Sequence, residues 1–415
     1  MQLFYINTYK GKRRLLKEQS NQRKSYKIVL LLLGVIFMAS NLRAPLTAVG
    51  PVIDEISRDL NLSNAAAGLI TTIPLMAFAL LSGIIPRISK KYGMELVLLF
   101  SLILLSIGLV FRSMENIVTL FLGAGFVGAA ITAGNVLMPA FIKNKFPKHL
   151  GSMMGVYSVM MNLTAALAAG FSITLGKVTG LGWKGSIGIW VILSLITIPI
   201  WLPQVRSRAK GITKDRKDLI INEGKTNIYK SRLAWAITIF MGVQSLMYYS
   251  LAAWLPKIMQ TWGMSEESSG WVLSYVHFAQ LPMALCGAII AGRMKNQQIL
   301  SGIIGLLYAI GIIGIIIFKT EYIWIWCILI GLASGFAYSL SMIFLILRTR
   351  NTSQATEMSG MAQGFGYLIA ACGPPLFGVS FDISNSWTLS LTLLLFTCSI
   401  LTFSGIIAGK ATYIK

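Results

Sequence analysis

Apolar residues fall along this chain in twelve long blocks, at 28–53, 65–86, 94–112, 117–142, 150–175, 185–203, 233–256, 267–291, 298–318, 322–347, 358–381 and 387–409. Each is close to the roughly 20 residues that a helix needs to cross a bilayer core of about 30 Å. Charged or turn-forming residues close the blocks. The pattern predicts an all-α membrane protein of twelve transmembrane helices, and an even number of spans returns both termini to one side.

Polar residues inside the blocks are unevenly spread. Spans 3, 6, 9 and 12 are almost purely aliphatic, and "LVLLFSLILLSIGLVF" (96–111) holds nothing more polar than serine. Spans 1, 4, 5, 7, 8, 10 and 11 carry Asn41 with Arg43, Asn135, Asn162, Gln244 with Tyr248, His277 with Gln280, Tyr338, and Gln363. Polar groups left in hydrocarbon cost free energy, so they face a protein interior or a wet cavity. One span in each group of three is therefore expected to face lipid.

Charge supplies the orientation. Of the 36 Lys and Arg residues, 29 fall in segments on the side of the termini, the asymmetry of cytoplasmic loops. Both termini are thus expected in the cytoplasm, at the cell (plasma) membrane. Residues 1–27 hold eight Lys or Arg and no small-residue cleavage site, so they read as a basic cytoplasmic tail rather than a signal peptide. Composition agrees: 55% of residues are hydrophobic, 12% are charged, and the mean hydropathy is +0.71. The net charge of +22 is strung across seven segments with few interleaved aromatics, which points to anionic lipids at the cytoplasmic face and away from nucleic acid.

The longest polar stretch, 204–232, carries nine basic and three acidic residues and reads as a cytoplasmic linker. It separates an N-terminal six-helix bundle, 28–203, from a C-terminal one, 233–409, leaving 410–415 as a tail. The halves echo each other. "FMASN" (37–41) matches "FMGVQ" (240–244), and "DLNLSNAAAG" (59–68) lies over "TWGMSEESSG" (261–270) at nearly the same offset. Weak similarity between two six-span halves marks a secondary transporter with its site at the repeat interface.

Enzymatic motifs are missing. Cys286, Cys327, Cys372 and Cys398 all lie inside spans with no CxxC or CxxH pairing, and the chain has no P-loop, nucleophile elbow or HExxH. No catalytic residue, metal or cofactor is expected, and direct ATP drive is disfavoured.

The 6+6 layout with peripheral spans 3, 6, 9 and 12 resembles the major facilitator superfamily. "NLRAPLTAVGP" (41–51) and "LRTRNTSQATEMSGMAQGFGYLIAACGP" (347–374), with Trp387 beyond, are similar to its cyanate/nitroimidazole transporter family. That superfamily usually carries Gly-x-x-x-Asp-Arg after span 2. Here "GIIPRISKKYG" (83–93) keeps Gly83 and the basic Arg87, Lys90 and Lys91, a candidate gating loop, but lacks the aspartate.

Arg43 is the focus. An arginine near mid-bilayer costs about 2.5–3.5 kcal/mol and cannot shed its proton. The nearest acids, Asp54, Glu95, Glu357 and Asp382, sit at span ends, so Arg43 is expected to meet substrate, its planar fork suiting a small anion or dipolar oxygen. Pro45 lacks an N–H and frees the Asn41 carbonyl, and Thr47 lies one turn beyond Arg43. Asn41 reads either as an interhelical hydrogen bond or as a substrate contact. Gln244 with Tyr248, and Gln363 with Tyr367, share helix faces at i, i+4 and are candidate cavity walls, the tyrosines serving either packing or cargo. His277 is either a neutral imidazole bonded to a hydroxyl or the carrier that couples protons to transport. The glycines of 123–134 and of "GMAQG" (360–364) suit close helix packing.

These residues imply a monomeric carrier, not an enzyme, that alternates access to a cationic midplane site. The resemblance implies a cyanate-like small anion as cargo, or alternatively outward movement of a nitroimidazole-like aromatic. A non-transporting sensor on the same fold is a further alternative, weakened by a largest cytosolic loop of only 29 residues.

Overall fold

The computed structural model describes residues 29–209, 228–350 and 352–414, so the basic tail 1–27 and the centre of the linker lie outside the described residues. Twelve helices are long and apolar enough to cross a membrane: Val29–Asp59, Asn64–Leu81, Met94–Arg112, Ile117–Lys145, Gly151–Thr179, Trp183–Val205, Arg232–Thr261, Glu266–Arg293, Gln298–Phe318, Ile323–Leu347, Glu357–Ser384 and Trp387–Ala408. They are spans 1 to 12. Every expected block has its helix. The side holding the loops after the odd-numbered spans is called distal, and the side holding the termini is called terminal.

Two blocks differ from expectation. Span 2 stops at Leu81, and Arg87, Lys90 and Lys91 ride on a separate exposed helix, Ile85–Tyr92, which begins beside Pro86 and ends at Gly93 with φ 90°. Only glycine takes that φ without strain, so the boundary is set locally. Span 1 runs on to Asp59 but is interrupted at 42–43 and again near Pro51.

The repeat is written into the backbone. Asn61 (φ 50°) and Gly263 (φ 92°) take left-handed conformations at matching positions. Behind them Leu62 N–H donates to Ser57 O and Met264 N–H to Met259 O, the Schellman closure of spans 1 and 7. Ser63 and Ser265 then accept the N–H groups of Ala66 and Ser268, capping spans 2 and 8. At the start of spans 6 and 12, buried Trp183 donates its indole N–H to Asp59 at 2.7 Å and Trp387 donates to Thr261 at 3.2 Å.

Spans 3, 6, 9 and 12 stand outside. They expose Phe100, Ile192, Leu306 and Phe396 among other large apolar side chains, as a lipid boundary requires. Packing inside the first half is close where "GAGFVGAAITAG" meets its neighbours: a Cβ on Gly128 would lie 2.5 Å from Pro74 Cα. The "GMAQG" glycines do not act so. Gly360 has nothing within 4 Å, and the tight approaches of span 11 fall at Gly373 and Gly378.

Between the halves, the described hydrogen bonds and ion pairs lie on the distal side or at mid-depth. Lys257 pairs with Asp54 at 2.9 Å, Lys177 with Glu267 at 2.7 Å, and Asn64 donates to Asp382 at 2.6 Å. Beneath them the backbones nearly touch, since a Cβ on Gly50 would sit 2.2 Å from the Ala252 carbonyl oxygen. These contacts hold the two halves together on the distal side.

On the terminal side, each half carries its own tie. Buried Glu95 pairs with Lys145 at 2.9 Å, joining spans 3 and 4. At the corresponding place in the second half Arg348 donates to Gln297 and to the Ala408 and Gly409 carbonyls that end span 12. Residues 410–414 fold back on this cluster, with Ile414 N–H donating to Arg348 O.

Two outcomes are expected. Gly50→Ala should hold the distal contact apart and speed thiol labelling of a Ser269→Cys reporter severalfold; an unchanged rate would mean that the contact has slack. Trp183→Phe should lower unfolding free energy by about 1.5 kcal/mol and Trp387→Phe by about 1 kcal/mol, because the first loses a bond to a carboxylate. Thermal midpoints in detergent rank the two.

Candidate functional site

Two prolines shape span 1. Pro45 has no N–H for the Asn41 carbonyl, and the chain leaves the helix at Leu42 and Arg43 before one further turn, Ala44–Thr47. Pro51 sits in a 3-10 turn, Gly50–Val52, before the helix resumes at Ile53. The Arg43 carbonyl accepts from the N–H groups of Leu46 and Thr47, which pins the break. From span 3, Arg112, 1% exposed, donates to Pro45 O at 2.7 Å. Arg112 ends its span, and the fold turns it inward onto the broken helix.

At this break the Arg43 side chain enters a central cavity of about 40 Å³, room for a few waters or a small ion. Its Cζ lies 4.7 Å from the Tyr248 ring centroid. Tyr249 and Tyr338 are its further electrostatic neighbours, and its charge also reaches Tyr157 and Tyr367. Among the described residues no carboxylate pairs with it. A cation over an aromatic face gains about 0.5–2 kcal/mol, which falls short of the several kcal/mol lost on leaving water. The centre therefore remains electropositive.

Six spans wall this cavity. Span 5 brings Ser158, Met161 and Asn162; span 7 brings Gln244, Ser245, Tyr248 and Tyr249; span 8 brings Gln280 and Ala284; span 10 brings Ser334, Gly335 and Tyr338; span 11 brings Tyr367. Tyr338 is 37% exposed although it stands mid-helix, so the cavity is not closed on all sides.

The structure thus brings Arg43, Gln244, Tyr248 and Tyr367 together. The other candidates lie elsewhere. Asn41 is buried against span 6, donating to Thr197 Oγ1 at 2.8 Å and to Phe37 O. Thr47 is 1% exposed, and its hydroxyl donates to Ala165 O of span 5. Gln363 donates to Ser359 within its own helix and is absent from the cavity wall. Arg87, Lys90 and Lys91 are at the terminal surface, with Lys91 over the Tyr92 ring. His277 is fully buried behind Tyr248 and Gln280, its ring 5.7 Å from that of Tyr248. Tyr249 and Ser158 carried no periodic signal that marked them, whereas Asn162 and Tyr338 stood out as polar residues in apolar spans.

The family model described as Major Facilitator Superfamily matches residues 29–374. The chain is 38% identical over 385 residues to the uncharacterized transporter YycB of Bacillus subtilis, covering 92% of this chain and 94% of that protein. It is 33% identical over 387 residues to the 2-nitroimidazole transporter of Escherichia coli, covering 93% and 97%. With the cyanate transport protein CynX of Escherichia coli it shares 23% over 362 residues, covering 86% and 91%. Its fold matches that of the xylose transporter XylE from E. coli, solved in an inward open conformation, with a TM-score of 0.70 at 12% identity, over 89% of this chain and 94% of that one. The twelve-span protein is a membrane transporter rather than an enzyme; it belongs to the major facilitator superfamily and, within it, to the cyanate/nitroimidazole transporter family.

Proposed function

We propose that this chain is a secondary carrier for a small planar solute that presents an anionic or nitro oxygen to Arg43 and a flat face to the surrounding tyrosines. The carrying observation is Arg43 itself, held at a helix break inside a cavity, with aromatic rings but no carboxylate partner among the described residues. A planar guanidinium offers paired donors to such an oxygen, and the rings of Tyr248, Tyr249, Tyr338 and Tyr367 offer stacking surface. Cyanate and a nitroimidazole both fit that description, and relatives bear the names of both cargoes.

Transport in this reading is alternating access. The bundles 28–203 and 233–409 rock about the cavity, and the distal ion pairs close one mouth. With the basic terminal side in the cytoplasm of a plasma membrane, the described state opens inward, as XylE does in its solved form.

Flux of radiolabelled cyanate and of 2-nitroimidazole into liposomes tests this. Arg43→Gln should cut flux about thirtyfold, equivalent to losing about 2 kcal/mol of charged hydrogen bonding, and Arg43→Lys should also fall because an ammonium lacks the fork. Both variants should reach the membrane normally. Wild-type rates in both would remove Arg43 from the site, and zero flux of each probe by the wild type would favour the sensor.

A further inference from the structure

The polar residues of the cavity wall differ in how much hydrogen bonding they have left to give. Gln280 of span 8 is committed twice: its amide donates to Ser334 Oγ at 2.7 Å, and its side chain is also hydrogen-bonded to His277. Ser334 donates in turn to the Gly331 carbonyl. Gln244 of span 7 donates to Ser245 Oγ at 2.7 Å. A hydroxyl both donates and accepts, so that contact allows the Gln244 amide to present either end to the cavity.

Asn162 of span 5 is different. Its Nδ2 donates to the Ser158 carbonyl at 2.9 Å. A backbone carbonyl can only accept, so this amide cannot be flipped, and Oδ1 is a fixed acceptor. No donor reaches that oxygen among the described residues, although Asn162 is 8% exposed and lines the cavity. A polar acceptor so far from bulk water, with no donor built for it, costs free energy that an apolar wall residue would avoid. Something in the cavity must meet it: water when the site is empty, cargo when it is filled.

The two halves also contribute different chemistry. Spans 1 and 5, both of the N-terminal half, bring Arg43, which only donates, and Asn162 Oδ1, which only accepts. Spans 7, 10 and 11 of the C-terminal half bring the rings of Tyr248, Tyr249, Tyr338 and Tyr367. A cargo that satisfies both halves carries an acceptor oxygen and an N–H donor in one planar frame.

We propose that Asn162 determines the specificity of this site, its oxygen taking a ring N–H of the cargo while Arg43 holds a nitro or anionic oxygen, so that the preferred cargo is a planar azole bearing both groups. This rests on Arg43 as the cargo site and names the class of solute that site selects. Cyanate satisfies the guanidinium but has no hydrogen for Oδ1. Cargo that displaces the water on that oxygen without replacing its hydrogen bond is disfavoured, and a site built around a substrate N–H rejects an analogue that lacks one.

Two competitors isolate the N–H. 2-Nitropyrrole and 2-nitrofuran share ring size and nitro group and differ in N–H against ring oxygen, so neither adds bulk. Each is titrated against uptake of radiolabelled cyanate and, separately, of 2-nitroimidazole by the full chain in liposomes. For the wild type, 2-nitropyrrole should compete about tenfold better than 2-nitrofuran or more, the cost of one unpaired acceptor. Asn162→Leu removes the acceptor without shortening the side chain, so a gain in tolerance cannot come from added room. It should bring the two competitors within about threefold of each other and leave cyanate uptake unchanged or raised. Equal competition in the wild type, an N–H preference that survives in Asn162→Leu, or cyanate uptake that neither ring inhibits overturns the assignment. The wild-type ratio decides the matter even if the variant fails to fold. Failure of the cargo reading looks different, as absent uptake of both labelled probes or full uptake in Arg43→Gln.

Discussion

A guanidinium at the centre of a membrane protein constrains everything around it. It cannot discard its proton, and a carboxylate partner would make it inert. In this protein the conflict is met by geometry. A proline-broken helix places Arg43 in a cavity, aromatic faces from four other spans surround it, and no carboxylate among the described residues cancels the remaining positive potential. Irregular backbone at membrane depth is tolerated where it lines a cavity, and span 1 breaks where it meets one.

The two arginines near this break divide the work. Arg112 spends its contact on the Pro45 carbonyl, a fixed acceptor on the helix that carries Arg43. Arg43 has the Tyr248 ring and open space. A guanidinium committed to backbone holds structure, whereas one facing rings and a cavity remains available. The same contrast separates Asn41 and Thr47, which are bound to neighbouring spans, from Gln244 and Tyr248, which face the opening.

Pseudo-symmetry explains how the two halves meet on the distal side. Matching left-handed turns, serine caps and indole bonds give both halves the same distal corner, and these corners meet through ion pairs over glycine-thin backbone contacts. The exposed Lys177–Glu267 pair is of the weak surface kind, about 0–1 kcal/mol, whereas Lys257–Asp54 is largely shielded from water. Terminal-side ties differ in kind. Glu95–Lys145 and Arg348–Gln297 lie within one half each and join helices of the same bundle.

The chain itself specified its spans, because hydrophobic length and the cost of polar groups in lipid are local properties that a linear pattern records. It also marked Arg43 as out of place, Tyr248 and Gln244 as one face, and spans 3, 6, 9 and 12 as the lipid boundary. What it could not record was direction. Thr47 lies one turn from Arg43 yet turns to span 5, Gln363 shares a face with Tyr367 yet stays on its own helix, and Arg112 at a span end is folded inward. Each of those outcomes depends on a rotation or break of a helix against neighbours far away in sequence. Side-chain destination is a property of packing, and packing exists only once the two halves have met.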